Sequence, residues 1–243
     1  MPHKRYGNDH HSIFTTFSNC AAVTFGIESA NVVGYQTKTI TTGFSLSTPT
    51  FQDVGAEGLD LQNFKLADTA AGDGTEMIQF LDEDGQCTEM WVWLNENVGM
   101  APGWYDNTTW APIEKTIVSA VGYLMNIAAD VDIVISGQVK SNATTISLPA
   151  GFSVRGNNTP VDINLQAIKL ADTAAGDGTE MIQFLDADGQ CTEMWVWLNG
   201  NVGMEPGWYD NTTWAPIEKT VKAGEAFLFN TASSVDMTVP SAL

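Results

Sequence analysis

Trp91, Trp93, Trp104, Tyr105 and Trp110 fall within one stretch of twenty residues, and the cluster returns as Trp195, Trp197, Trp208, Tyr209 and Trp214. An indole that reaches solvent is a flat apolar platform for the face of a sugar ring, and Asn95, Asn97, Asp106 and Asn107 lie nearby as hydrogen-bonding partners. Trp91 and Trp93 sit in an alternating run and read as core. Trp104 and Trp110, set among Gly, Pro, Asn and Asp, read as loop aromatics. The candidate ligand-binding residues are Trp104, Tyr105 and Trp110 with Trp208, Tyr209 and Trp214. The competing role for them is to staple a loop or fill an interface.

Carboxylates form the second candidate set: Asp68, Asp73, Glu76, Asp82, Asp84, Glu89 and Asp106, each repeated further along the chain. Two acids facing each other at about 5 to 9 Å would suit glycoside hydrolysis. A hard cation such as calcium wants several oxygens from one turn, and Asp82 and Asp84, with Asp186 and Asp188, could supply some of them. Neither turn has the third oxygen residue and closing glutamate of a full calcium loop, and turn formation alone accounts for the same spacing. No other cofactor is indicated. His3, His10 and His11 are the only histidines, which leaves the rest of the chain without a Ser-His-Asp device or an imidazole ligand for zinc. Cys87 and Cys191 occupy equivalent positions and have no cationic neighbour in sequence to lower their pKa; a buried, inert thiol is expected at each. A bridge between them would require the two equivalent strands to meet.

The elements that must position these groups are strands. Val, Ile, Thr and aromatic runs are broken by Gly, Asn, Asp or Pro, and helical periodicity is nearly absent. The clearest element spans Met77 to Leu94, where MIQFL and QCTEMWVWL flank Asp82-Glu83-Asp84-Gly85 and predict an antiparallel hairpin. Period two places Cys87, Glu89, Trp91 and Trp93 on one face and Thr88, Met90, Val92 and Leu94 on the other, so both faces turn apolar toward Leu94. Further strands are expected over Val32–Ile40, Phe44–Ser47, Gly122–Ile127 and Val131–Ile135. Leu59–Leu66 fits a strand or a short helix equally.

Lys65–Ile117 recurs as Lys169–Val221 with four changes: Glu83 to Ala187, Glu96 to Gly200, Ala101 to Glu205 and Ile117 to Val221. A weaker match continues on both sides, Gly43-Phe44-Ser45-Leu46 answering Gly151-Phe152-Ser153-Val154. The offset of 104 residues is that of a domain-sized unit rather than a solenoid repeat. Diverged flanks around a near-identical centre are the pattern of recombination between copies as much as of selection, so the identity itself marks no site. The expected organisation is an N-terminal tail or degenerate signal segment over 1–30 and two β-modules over 31–137 and 138–243. The fold class is mainly β, with each module an antiparallel β-sandwich or partly closed barrel.

Asn31-Val32-Val33-Gly34-Tyr35, Gly43-Phe44-Ser45-Leu46, Gly103-Trp104-Tyr105-Asp106 and Ala223-Gly224-Glu225-Ala226-Phe227 follow an order of motifs that resembles tandem β-rich modules of uncharacterised secreted or surface proteins of Gram-negative bacteria. The resemblance implies an exported, β-rich protein and transfers no functional residue.

Composition narrows the partners. The net charge is -19, from 29 acidic and 10 basic residues, and such a surface repels nucleic-acid phosphates and anionic lipid. No run approaches the roughly 20 apolar residues of a spanning helix. Lys4 and Arg5, followed by the apolar run Ser12–Gly26, outline a degraded secretory signal. The reading that joins these observations is a non-enzymatic secreted or envelope-associated protein for structure or adhesion, with a protein or glycan partner at the cell surface. The alternative is a bivalent carbohydrate-binding protein using the loop tryptophans.

Overall fold

The computed structural model describes residues 33–242, which form one compact unit. The degraded signal segment lies outside the described residues. Ten strands make up the first copy of the repeat: β1 (Val33–Ile40), β2 (Gly43–Ser47), β3 (Gly58–Asp60), β4 (Lys65–Leu66), β5 (Asp73–Leu81), β6 (Cys87–Leu94), β7 (Gly103–Asp106), β8 (Thr116–Val118), β9 (Tyr123–Ile127) and β10 (Val131–Gln138). The second copy follows in the same order: β11 (Thr144–Leu148), β12 (Gly151–Gly156), β13 (Ile163–Asn164), β14 (Lys169–Leu170), β15 (Asp177–Leu185), β16 (Cys191–Leu198), β17 (Gly207–Asp210), β18 (Thr220–Val221), β19 (Ala226–Thr231) and β20 (Val235–Val239). Helical structure among the described residues is limited to short 3-10 turns such as Leu61–Asn63 and Glu96–Val98. The chain is thus mainly β, as the strand signals predict.

The ladders between these strands are antiparallel and run within one copy, and two isolated antiparallel bridges, Ser47–Glu225 and Val121–Arg155, cross between the copies. The first copy builds a five-stranded sheet (β2-β9-β5-β6-β7), a three-stranded sheet (β1-β10-β4) and a β3-β8 pair, and the second copy repeats all three. These small sheets stand in a ring that resembles a four-bladed propeller. The pair β1–β10 continues directly into β2–β9, from Ile40 opposite Val131 to Gly43 opposite Ile127, yet the two pairs lie in different sheets. Asp130 closes this corner by accepting hydrogen bonds from the backbone N–H and hydroxyl of Thr42. Leu59–Leu66 is both of its alternatives in sequence: a strand, one 3-10 turn capped by Asp60, then a second strand.

The hairpin expected around Asp84-Gly85 is present as β5–β6, but only Gly85 has positive φ, at 76°. Asp82 pairs with Gln86 through the backbone, leaving a three-residue loop with glycine in the left-handed position, rather than a two-residue turn needing two such residues. A bulge at Thr88 sets Leu81 opposite Cys87 and Phe80 opposite Glu89. Burial then rises along β6 until Trp91, Val92, Trp93 and Leu94 are all covered, both faces included. Behind it the core joins Trp93 and Trp104, 5.4 Å apart and edge to face, with Phe64 and Tyr123. Each buried indole removes roughly 200 Å² from water, a gross gain of about 5 kcal/mol before side-chain entropy is subtracted.

The two copies meet reciprocally. Phe44 donates its N–H to the Ala187 carbonyl at 2.8 Å, and Phe152 donates to Glu83 at 2.7 Å. Leu46, Val154 and Ala226 form a small core between them, flanked by Leu81, Leu124, Leu185 and Leu228. Equivalent residues exchanging equivalent contacts is the signature of an approximate twofold axis.

Candidate functional site: two tryptophan loops

β7 leads into a short loop that returns antiparallel to it. Asp106 N–H donates to the Ala111 carbonyl, and Trp110 N–H donates back to the Asp106 carbonyl, both at 3.0 Å. Inside the loop the Asp106 carboxylate accepts from the N–H groups of Thr108 and Thr109 and from the Thr109 hydroxyl, at 3.0, 2.7 and 2.9 Å. Those donors favour the charged form and hold the Asp106 pKa below the usual carboxylate value. Asp210 does the same for the second copy, with its strongest contribution also from the backbone N–H of the third residue on, Thr213.

This loop ends in a residue with left-handed backbone, and that residue is tryptophan in both copies: Trp110 at φ 59° and Trp214 at φ 58°. The conformation costs a side-chain-bearing residue roughly 1–2 kcal/mol relative to glycine, the residue usual at such positions. The indoles are also exposed, 54% for Trp110 and 51% for Trp214. Beside Trp214, Val202, Met204 and Leu198 enclose a shallow pocket of about 250 Å³ with Asp177 on its rim. Asp73, Leu94, Val98 and Met100 hold the same sequence positions relative to Trp110, and Val98 is as exposed as Val202. Asp177 keeps a low pKa through the hydroxyl and then the N–H of Thr179, which engage one oxygen and leave acceptor capacity on the carboxylate.

The other candidate aromatics belong to the interior. Trp104 and Trp208 are 0% exposed, because β7 and β17 pair with the hairpin strands and set Trp104 opposite Trp93 and Trp208 opposite Trp197. Their indole N–H groups donate to the carbonyls of Phe64 and Ile168, at 2.7 and 2.9 Å. Tyr105 and Tyr209 are buried as well, each donating its hydroxyl to a backbone carbonyl four residues earlier. The expectation that these four residues face a ligand is corrected: they hold the loop from beneath. Of the six candidates, only Trp110 and Trp214 reach the surface. Trp91 and Trp195 are core, as expected, and are capped by Lys115 and Lys219, each also ion-paired to Glu89 or Glu193.

Most named polar partners serve their own loops. Asn95 caps the Glu96–Val98 turn and Asn97 donates to the Ala71 carbonyl. Glu76 and Glu180 are buried and accept the N–H groups of Ala71 and Gly72, or of Ala175 and Gly176. Asp82 accepts from Asp84 and Gln86 N–H, and Asp186 from Asp188 and Gln190. What the structure shows at these hairpin acids is turn closure, and among the described residues no three His, Cys, Asp or Glu side chains gather to hold a metal. Cys87 and Cys191 are exposed free thiols, against the expected burial; they lie at the outer end of β6 and β16, beyond the bulge and before the strand passes under cover. Val98 and Met100, with their counterparts, escaped the sequence reading, and Asp73 entered it only as one of the candidate carboxylates. Val202, Met204 and Asp177 come beside Trp214 through the pairing of β15, β16 and β17.

No protein-family model, curated protein or solved structure matches the chain. No described helix is long and apolar enough to cross a membrane.

Proposed function

We propose that this chain is a non-enzymatic adhesion protein of the cell surface or of secreted material, built as two tandem β-modules from one duplication, with each module presenting one tryptophan loop to a glycan. The observation that carries the reading is Trp110 and Trp214. A large apolar ring in solvent, in a backbone conformation that favours glycine, lowers stability twice over. Such a feature fits a surface whose purpose is contact. The ring supplies a stacking face, the neighbouring Val and Met extend it, and the carboxylate on the rim accepts hydroxyl hydrogen bonds, the mixture that pyranose recognition requires. Two such loops on one chain raise apparent affinity for a polymeric ligand through effective concentration, where both can engage at once.

Pull-down with insoluble cellulose, chitin, xylan and bacterial peptidoglycan tests this. Retention on at least one polymer is expected, with Trp110→Ala and Trp214→Ala each weakening it and the double variant losing it. Failure to bind every polymer, or retention unchanged in the double variant, overturns the reading. Trp104→Ala is no substitute, since that indole supports the core.

A further inference from the structure

The pocket beside Trp214 opens on one face of a sheet, and the lysines of that sheet lie on the other. In the sheet β12-β19-β15-β16-β17, Trp195 and Trp197 point into the core with Phe184, while Val196 and Leu198 point the opposite way into a smaller cluster with Tyr209, Met181 and Met204. Leu198 and Met204 line the pocket, which places it on this second face. Lys219 lies over Phe184 and Trp195 and pairs with Glu193, and Lys169 lies over Trp197, so both stay on the first. Among the described residues no lysine, arginine or histidine lines the pocket, and the charge on its wall is the Asp177 carboxylate.

That carboxylate is only half used. The hydroxyl and the N–H of Thr179 bond the same oxygen and the side chain is exposed; in the first copy Asp73 is held in the same way by Thr75. Both acids are thereby kept ionised. Two of the four differences between the copies also fall in the segment leading to the tryptophan loop, and they move an acid without removing it. Glu96, two residues before Val98, is Gly200 in the second copy, whereas Ala101 becomes Glu205, the residue after Met204. Each copy therefore keeps one exposed glutamate in this segment.

Charge decides which sugar suits such a pocket. A ligand stacked on the indole strips water from Asp177. A neutral hydroxyl returns one hydrogen bond, whereas an ammonium group returns a charge-assisted one, roughly twice as strong, and is also attracted to the indole face. Uronates and sulfated sugars would bring a like charge to a carboxylate with no cation beside it, on a chain of net charge -19.

We propose, building on the glycan reading, that the tryptophan loops select sugars carrying a free ammonium group, glucosamine units above all, with the ring against Trp214 or Trp110 and the ammonium on Asp177 or Asp73. Calorimetric titration of the full chain at pH about 6, where amines and carboxylates are both charged, compares the tetramer of glucosamine with its fully N-acetylated form and with spermine. The acetylated tetramer has the same rings without the charge, and spermine has the charges without the rings. The glucosamine tetramer should bind about tenfold or more tighter than either. Asp73→Asn/Asp177→Asn, in which the amide oxygen can still accept from Thr75 and Thr179, should remove its advantage over the acetylated form. Trp110→Ala/Trp214→Ala should remove binding itself. Equal or tighter binding of the acetylated tetramer or of spermine, an advantage that the two asparagines leave unchanged, or glucosamine binding that survives loss of both tryptophans would each overturn the proposal. Tryptophan-dependent binding of the acetylated tetramer with no gain from the amine would sink the ammonium preference and leave the glycan reading standing, whereas no binding of either sugar would sink both. The three ligands compared on the parent chain decide alone should a variant not fold, as judged by circular dichroism.

Discussion

At the scale of single residues, left-handed backbone at Trp110 and Trp214 makes a signed prediction. Alanine and glycine both remove the indole, but only alanine keeps the Cβ that the conformation disfavours. Trp110→Gly should therefore be more stable than Trp110→Ala by about 1 kcal/mol, the reverse of the order in a helix or strand, as measured by urea unfolding. Equal stabilities would mean the residue relaxes out of that conformation. Asp106 and Asp210 make a second prediction. Their folded pKa values lie below 3.8, so the stabilisation they give is complete above the unfolded value and is lost as pH falls through the folded one. The gap in melting temperature between the parent and Asp106→Asn/Asp210→Asn should be constant from pH 7 to about 5 and narrow on acidification below about 4. Sequence placed Trp104 and Trp110 together as loop aromatics because both sit among turn residues. What separates them is pairing: Trp104 lies opposite Trp93 in a ladder, and Trp110 lies beyond the strand end. The four differences between copies are mild for a related reason. Glu83 and Ala187 offer only their carbonyls to the partner copy, Glu96 and Gly200 only theirs to the glycine three residues on, Ala101 and Glu205 only theirs to a tyrosine, while Ile117 and Val221 exchange one methylene inside the core.

At the scale of elements, the local signals were legible and the partners were not. Asp84-Gly85 announced its hairpin because a three-residue loop with left-handed glycine is a local solution. The strands Val33–Ile40 and Gly43–Ser47 were also visible, but their partners lie about ninety residues away and nothing local names them. The tryptophan loop depends on such a distant tie. Gln62, from the turn between β3 and β4, donates to the carbonyls of Trp104 and Ile113, at 2.8 and 2.9 Å; Gln166 makes the same pair of bonds. Trp104 keeps a second donor in Ile113 N–H, whereas Ile113 has no other donor for its carbonyl among these bonds. Gln62→Leu should cost about 1–3 kcal/mol in chemical denaturation, the penalty for one buried acceptor left unmet. Adding Gln166→Leu should roughly double it, since the two sites share no contacts. A neutral Gln62→Leu would show that water replaces the amide and that the loop does not rely on it.

At the scale of the molecule, the repeat predicted two domain-sized units, and the structure shows one compact body in which the two copies of the repeat meet. Gly43 and Gly151 have φ of 97° and 92°, and a Cβ on either would lie 2.5 Å from the Ala187 carbonyl oxygen or 2.4 Å from that of Glu83. Both obstacles are backbone atoms that already accept the reciprocal hydrogen bonds of Phe44 and Phe152, so they cannot swing aside as a side chain would. Gly151→Ala must push the copies apart or strain β12, at a cost of roughly 2 kcal/mol or more. For a chain of this size that corresponds to a fall in melting temperature of about 4–8 °C. The form of the transition carries as much information as its midpoint. With Leu46, Val154 and Ala226 buried between the copies and the described residues forming one compact unit, neither copy keeps its inner face covered alone. The parent should melt in one calorimetric transition whose enthalpy matches its van't Hoff value, and Gly151→Ala should lower that transition without splitting it. Two resolved transitions in the parent would mean that each copy is stable by itself. The contact would then be a docking of finished domains, and would open and close independently of folding.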